Sequence, residues 1–191
     1  MIVTSCSSPA VVSKAAAVRT GFKEGLEDYE RRDYTAALKT FRPLAEEGNA
    51  DAQFYVAVMY YNGQGVPQND DEAVQWFRKA AVKGHARAEN NLGGLYMEGR
   101  GVPRDNKEAA KWYRRAAEQG LAQAQYNLGF MYGKGAGVPR DFVLAYMWFS
   151  LALENGIQSA DELRNAAGAF LTPAQMEKAQ RLVREWKPKK S

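Results

Sequence analysis

One cysteine and one histidine in 191 residues remove most of the familiar catalytic and metal-binding chemistry at once. The lone Cys6 can form neither a disulfide nor a multi-thiolate metal site within the chain. The lone His85 supports neither a His-based triad nor a multi-His metal site. No stretch approaches the run of about 18 apolar residues that a membrane-spanning helix requires. Neither sign of charge dominates: 26 basic residues face 22 acidic ones, spread along the chain, for a net charge of +4. That balance favours no partner class, and no nucleic acid is expected. The composition is nevertheless that of a folded chain. It is 46% hydrophobic and 12% aromatic, with four tryptophans, which points to packed large side chains rather than disorder.

What the chain does have is a period. Trp76, Trp112 and Trp148 are 36 residues apart, and Tyr60, Tyr96 and Tyr132 keep the same interval. So do Ala52, Ala88, Ala124 and Ala160, and the glycines Gly48, Gly84, Gly120 and Gly156. The segments Gly63-Gln-Gly65-Val66-Pro67, Gly99-Arg-Gly101-Val102-Pro103 and Gly135-Ala-Gly137-Val138-Pro139 repeat in step with them. A fixed period of this length is the mark of a stacked repeat array.

Within the copy Ala86 to Leu121, Ala88, Leu92, Leu95 and Tyr96 line one face of a first helix. Gly99 and Gly101 break that helix, and Asp105 with Glu108 reads as an acidic capping box for a second. The second helix carries Ala109, Trp112, Tyr113, Ala116 and Ala117 on one face and stops at Gly120. Two antiparallel helices cannot bury their own apolar faces, so the pairs must stack in series. The alanines, with Gly93 and Gly129, are expected where backbones approach closely, and the methionines Met59 and Met131 as core filler.

The register continues upstream. Asp33, Ala37, Phe41 and Gly48 precede Asn69, Ala73, Phe77 and Gly84 by one period, without the extra glycine turn. Downstream the pattern fades after Ala160, and Thr172-Pro173-Ala174-Gln175 reads as a capping box opening a final helix that should run to about Lys187. The expected organisation is therefore a disordered leader over 1–14 and a first helical unit over 15–48. Three 36-residue repeats follow over 49–157, then a degenerate repeat with a capping helix over 158–187, and a solvated basic tail over 188–191. Val3-Thr4-Ser5-Cys6 has the form of a bacterial lipoprotein cleavage box, but only five residues precede the cysteine. Two readings stay open. Either the start is placed too late, with Cys6 as a lipid anchor in the bacterial cell envelope, or the match is chance in a Ser-rich leader.

The pattern Ala-x-Ala-x-x-x-Leu-Gly-x-x-Tyr, Gly-x-Gly-Val, Ala-x-x-Trp-aromatic and Ala-Ala-x-x-x-Gly over residues 50–157 resembles the Sel-1-like repeats, relatives of the tetratricopeptide repeats. Gly25, Ala37, Phe41 and Leu44 make the first unit similar to an ordinary tetratricopeptide unit. The resemblance implies an all-α fold, an α/α superhelical solenoid of helix pairs with a C-terminal cap. It also implies a non-enzymatic scaffold or adaptor that binds a protein or peptide partner and needs no cofactor. In such arrays the first helix of each pair lines the concave face. Carried over, that face would present Phe22, Leu26 and Tyr29; Phe54, Val58 and Tyr61; Arg87, Asn90 and Met97; and Gln123, Tyr126 and Phe130. This is an apolar, aromatic-rich track with few charges.

Other candidate chemistry is thin. His85 follows a helix end, and its register mates Asn49, Leu121 and Ile157 share no function with it. Asp70-Asp71-Glu72 opens a helix, where negative charge suits the dipole. Gly133-Lys-Gly135-Ala-Gly137 follows a helix rather than a strand and lacks the ending of a phosphate loop. Lys107, Lys111, Arg114 and Arg115 read as a solvated outer face. The alternative reading is a lactam-binding or lactam-hydrolysing enzyme, a label carried by some cysteine-rich relatives. It meets neither paired cysteines nor a Ser-x-x-Lys motif here. The other alternative, a nucleic-acid adaptor, would have to rely on the basic ends.

Overall fold

The computed structural model describes residues 9–189, with side chains from residue 18 onward. Among the described residues every regular element is a helix: α1 (Pro9–Glu30), α2 (Tyr34–Glu46), α3 (Ala50–Asn62), α4 (Asp70–Ala81), α5 (Ala86–Glu98), α6 (Asn106–Glu118), α7 (Ala122–Lys134), α8 (Phe142–Glu154), α9 (Ala160–Gly168) and α10 (Pro173–Glu185). The fold class is all-α, built from consecutive helix pairs in the manner of an α/α solenoid. Helix α1 begins inside the segment read as a leader, and the Cys6 box lies outside the described residues.

The chain divides into two compact units, Met1–Trp76 and Phe77–Ser191, the division falling within α4. In the first unit α1 packs on α2 and α2 on α3; in the second, α5 to α9 each pack on the next, and α10 folds back onto α8.

Caps explain the helix starts. Asp33, Asn49, Asp105 and Asp141 each accept a backbone N–H of the first turn they precede, and Asn69 accepts that of Glu72. Each such cap is worth about 1 kcal/mol. Glu108 does not close the capping box expected of it; its carboxylate pairs with Lys111 instead. Thr172 and Gln175 do close theirs, in both directions. His85 has a role that its position in the sequence concealed. It is the N-cap of α5, with Nδ1 accepting the Ala88 N–H at 3.1 Å. That nitrogen is therefore the unprotonated one, doing in this copy what the Asn49 side chain does one period earlier.

Three contacts recur along the chain, the first and third joining one pair to the next and the second closing each pair on itself. First, Arg42, Arg78 and Arg114 donate to the hydroxyls of Tyr60, Tyr96 and Tyr132 at 3.5, 2.7 and 2.8 Å. Arg114 is thus a latch, not part of a solvated face. Second, small residues admit rings: a Cβ on Gly93 would sit 2.8 Å from the Tyr113 ring, and one on Gly129 2.9 Å from Phe149. Gly25 stands in the same relation to Phe41, at 2.7 Å. Third, the second glycine of the turn rests on the start of the preceding second helix. Gly65 lies against the Tyr34 carbonyl, and Gly137 against that of Asn106.

A buried polar position recurs as well. Gln53 and Gln125 donate to the carbonyls of Ala45 and Ala117, the last-turn carbonyls of α2 and α6, at 2.9 and 3.4 Å. The copy between them has Glu89, fully buried, which accepts from Arg115 at 2.8 Å and Gln119 at 2.7 Å. Arg115 also donates to the Ala81 carbonyl at 3.3 Å, taking the place of the missing glutamine donor. Arg115 too is a junction residue rather than a solvated one. Burial pushes the Glu89 carboxyl above its usual range, with the Arg115 charge and the two hydrogen bonds pulling it back.

The C-terminal end is closed by α10. Leu182, Val183 and Trp186 pack onto the core around Trp148, whose ring meets Trp186 edge-on at 6.4 Å. The tail is not simply solvated: Lys189 donates its backbone N–H to the Glu118 carbonyl and its ammonium to the Glu118 carboxylate, both at 2.8 Å.

Candidate partner-binding surface

The first helices supply the candidate surface, and the two units treat it differently. In the first unit the expected aromatics are largely consumed by packing. Phe22 lies 5.5 Å from Phe41 and 5.9 Å from Tyr55, and Phe54 meets Tyr55 edge-on at 5.5 Å. Tyr29 stands edge-on to Tyr34 and Tyr55, and its hydroxyl donates to Gln64 at 2.9 Å. Burial raises the Tyr29 phenol above its ordinary value, and Tyr34 adds to the rise. Phe54, at 8% exposure, belongs to the core and corrects its assignment to an open face. Leu26, Val58 and Tyr61 are half-buried. The hub of this cluster is Tyr55, which the repeat pattern does not single out.

In the second unit the middle of the surface is polar rather than apolar. Gln123 donates to Asn127 at 3.4 Å, Asn127 to Asn90 at 3.0 Å, and Asn90 to Asn91 at 3.5 Å, a ladder of side-chain amides running from α7 to α5. Asn91 and Asn127 were missed, although they share one register position, where the first copy has Tyr55. Arg87 and Gln123 are exposed and Asn90 is half-buried, while Met97 packs against the core around Tyr113. Tyr126 leans edge-on against Phe149 at 5.8 Å, and Phe130 stays 39% exposed with the Lys134 ammonium 5.8 Å above its ring.

Such a surface can hydrogen-bond a peptide, because each side-chain amide offers both donors and an acceptor. It has no evident catalytic constellation. Among the described residues no group of three or more His, Cys, Asp or Glu could hold a metal, and no helix is long and apolar enough to cross a membrane. Of the glycines of 133–137, Gly133 lies within α7, while Gly135, its left-handed cap, and Gly137 belong to the inter-helix turn.

The family model for the Sel1 repeat matches residues 50–85, 86–121 and 122–157, more than half of the chain. The chain belongs to the Sel1 repeat family. A Sel1 repeat protein of known structure from Oxalobacter formigenes is 35% identical over 73% of this chain and 57% of its own, with a TM-score of 0.70. A protective antigen present in uropathogenic Escherichia coli strains, displaying an SLR fold, is 34% identical over 88% of this chain and 45% of its own, with a TM-score of 0.62. The chain thus spans about half the length of these relatives. No match is found among curated proteins. Sel1 repeats generally serve as protein-interaction scaffolds and are typically non-catalytic.

Proposed function

We propose that this Sel1 protein is a non-enzymatic adaptor that holds a peptide or an extended segment of a partner protein against its first helices. The observation that carries the reading is the amide ladder Gln123–Asn127–Asn90–Asn91, bordered by Tyr126 and Phe130. Amides pair with an extended backbone whatever its side chains, and the bordering rings add apolar contact and selectivity. The second helices support the same reading from the other side, since Arg114 and Arg115 are engaged in joining repeats.

The test is affinity capture from a bacterial lysate with the wild type beside a Tyr126→Ser, Phe130→Ser variant, both checked by circular dichroism. The exposed Phe130→Ser single variant serves as a control that leaves the core alone. A protein retained by the wild type and depleted at least about tenfold by the variants is the expected result, since an anchoring ring contributes about 2 kcal/mol or more. Equal capture by all three would remove these residues from the binding surface.

A further inference from the structure

At the end of the second unit the repeat departs from itself. Phe130 stands where the other copies have Val58 and Gly94, Lys134 where they have Asn62 and Glu98, and Phe142 where they have Asp70 and Asn106. The stacking of pairs is satisfied by the small, polar or acidic residues at those positions elsewhere, so the repeat does not demand these three. Together they open a groove of about 320 Å³ between α7, α8 and α9, lined by Phe130, Lys134, Arg140, Phe142, Phe149 and Phe170. Phe170 is 68% exposed and stacks on Phe142 with ring centroids 4.5 Å apart. An exposed ring stacked on the half-buried Phe142, beside the exposed Phe130, is costly to leave in water and marks a contact surface.

The charge of the groove is of one sign. Lys134 lies 5.8 Å over the Phe130 ring and Arg140 5.5 Å over the Phe142 ring. No carboxylate lines the groove, and none among the described residues pairs with either cation. The turn brings the Arg140 backbone close to Gly135, where an added Cβ would lie 3.2 Å from that of Arg140. Two cations over ring faces, without an ion pair among the described residues, bracket an apolar floor.

The geometry points to a peptide segment with one large apolar side chain flanked by carboxylates as the occupant of this groove, the apolar group among the phenylalanines and the acids on Lys134 and Arg140. This rests on the adaptor reading above and gives the partner its chemistry. The volume is at the small end of ligand pockets, about 300–1,000 Å³. It suits one anchoring side chain with its flanking backbone rather than the face of a folded domain.

Fluorescence polarisation with short labelled peptides tests the assignment. Each peptide has a Phe-Leu centre flanked by Glu, Gln or Lys, and each is titrated with the wild type and with a Lys134→Glu, Arg140→Glu variant. Both cations are exposed, so the variant keeps the fold. The wild type is expected to prefer the Glu-flanked peptide over the Lys-flanked one by about tenfold at low salt, and the variant to reverse the order. Absence of any preference, an unreversed order in the variant, or no binding of any peptide would overturn the proposal. So would concentration-dependent self-association abolished by the variant, which would give the groove to a second copy of this chain. Lysate capture by the same charge-reversed variant separates the two readings. Capture at the wild-type level, with no peptide preference, sinks the groove and leaves the adaptor standing, whereas a wild type that captures nothing sinks the adaptor.

Discussion

Replacing Gly137 by alanine is expected to lower stability by about 3 kcal/mol, a fall of roughly 6–12 °C in the unfolding midpoint. Two costs add. Gly137 has a φ of +70°, where any L side chain is strained by about 1–2 kcal/mol. A Cβ there would also overlap the Asn106 carbonyl and come within 2.7 Å of the Lys107 nitrogen. Backbone cannot swing aside as a side-chain tip can, so the turn and the start of α6 must separate, at a further cost of about 1–3 kcal/mol. Gly156 supplies the control. Its φ of +99° carries the conformational cost, but a Cβ would meet nothing within 4 Å, so Gly156→Ala should cost only about 1–2 kcal/mol. Thermal melts of the two variants side by side separate strain from collision. Equal losses would mean that the seating of the turn on α6 contributes nothing.

Arg115→Leu is the second large effect, about 3 kcal/mol at neutral pH, because it leaves the buried Glu89 carboxylate without its cation. Half of the Arg115 side chain is exposed, which keeps the loss at the low end of the range for a broken buried pair. Much of the loss should be recovered by Glu89→Gln in the same chain. The double variant reproduces the next copy, where Gln125 donates to Ala117 and Leu151 occupies the arginine position. Glu89→Gln alone should stay within about 1 kcal/mol of the wild type, since the glutamine carbonyl oxygen can still accept from Arg115 or Gln119 and no charge is left buried. The pH dependence has a definite sign. Glu89 has its carboxyl raised in the folded state, chiefly by burial, so its contribution to stability is fully present below the unfolded value and lost as pH rises through the folded one. The Arg115→Leu defect should therefore shrink in mildly acid solution, and Glu89→Gln should flatten that part of the profile. Urea melts across pH 4 to 8 measure both. A double variant as unstable as Arg115→Leu would show that the two positions are not coupled.

The helices were legible because their causes are local and repeated. Apolar spacing, capping residues and Gly-x-Gly turns recur in register, so each copy confirms the reading of the next. Even the close approach of Gly93 to a ring follows from a small residue facing an aromatic one period after period. Junction chemistry was harder to read, since it depends on which residue meets which across pairs. Arg115 and Glu89 are 26 residues apart and on different helices, and neither position is suggestive until Gln53 and Gln125 are set beside Glu89. The candidate surface was only partly legible for a related reason. Transferring first-helix positions from one copy to the next ignores the local partner. Phe54 is drawn into the core by Tyr55, whereas the Asn91 and Asn127 register opens into an amide ladder. The aromatic groove lies where the period lapses, and Phe170 falls between the fading repeat and the Thr172 capping box. A reading built on what recurs averages away what occurs once.

The claim that partners are held on the first helices is tested most directly by photo-crosslinking in a bacterial host. A benzoyl-phenylalanine group is placed at Asn90 or Tyr126, on the first-helix surface, or at the exposed Lys107 or Lys111 of α6. A partner held on the first helices gives one common adduct from positions 90 and 126 and none from 107 and 111. Adducts confined to 107 and 111 would contradict it and move the binding surface to the second helices.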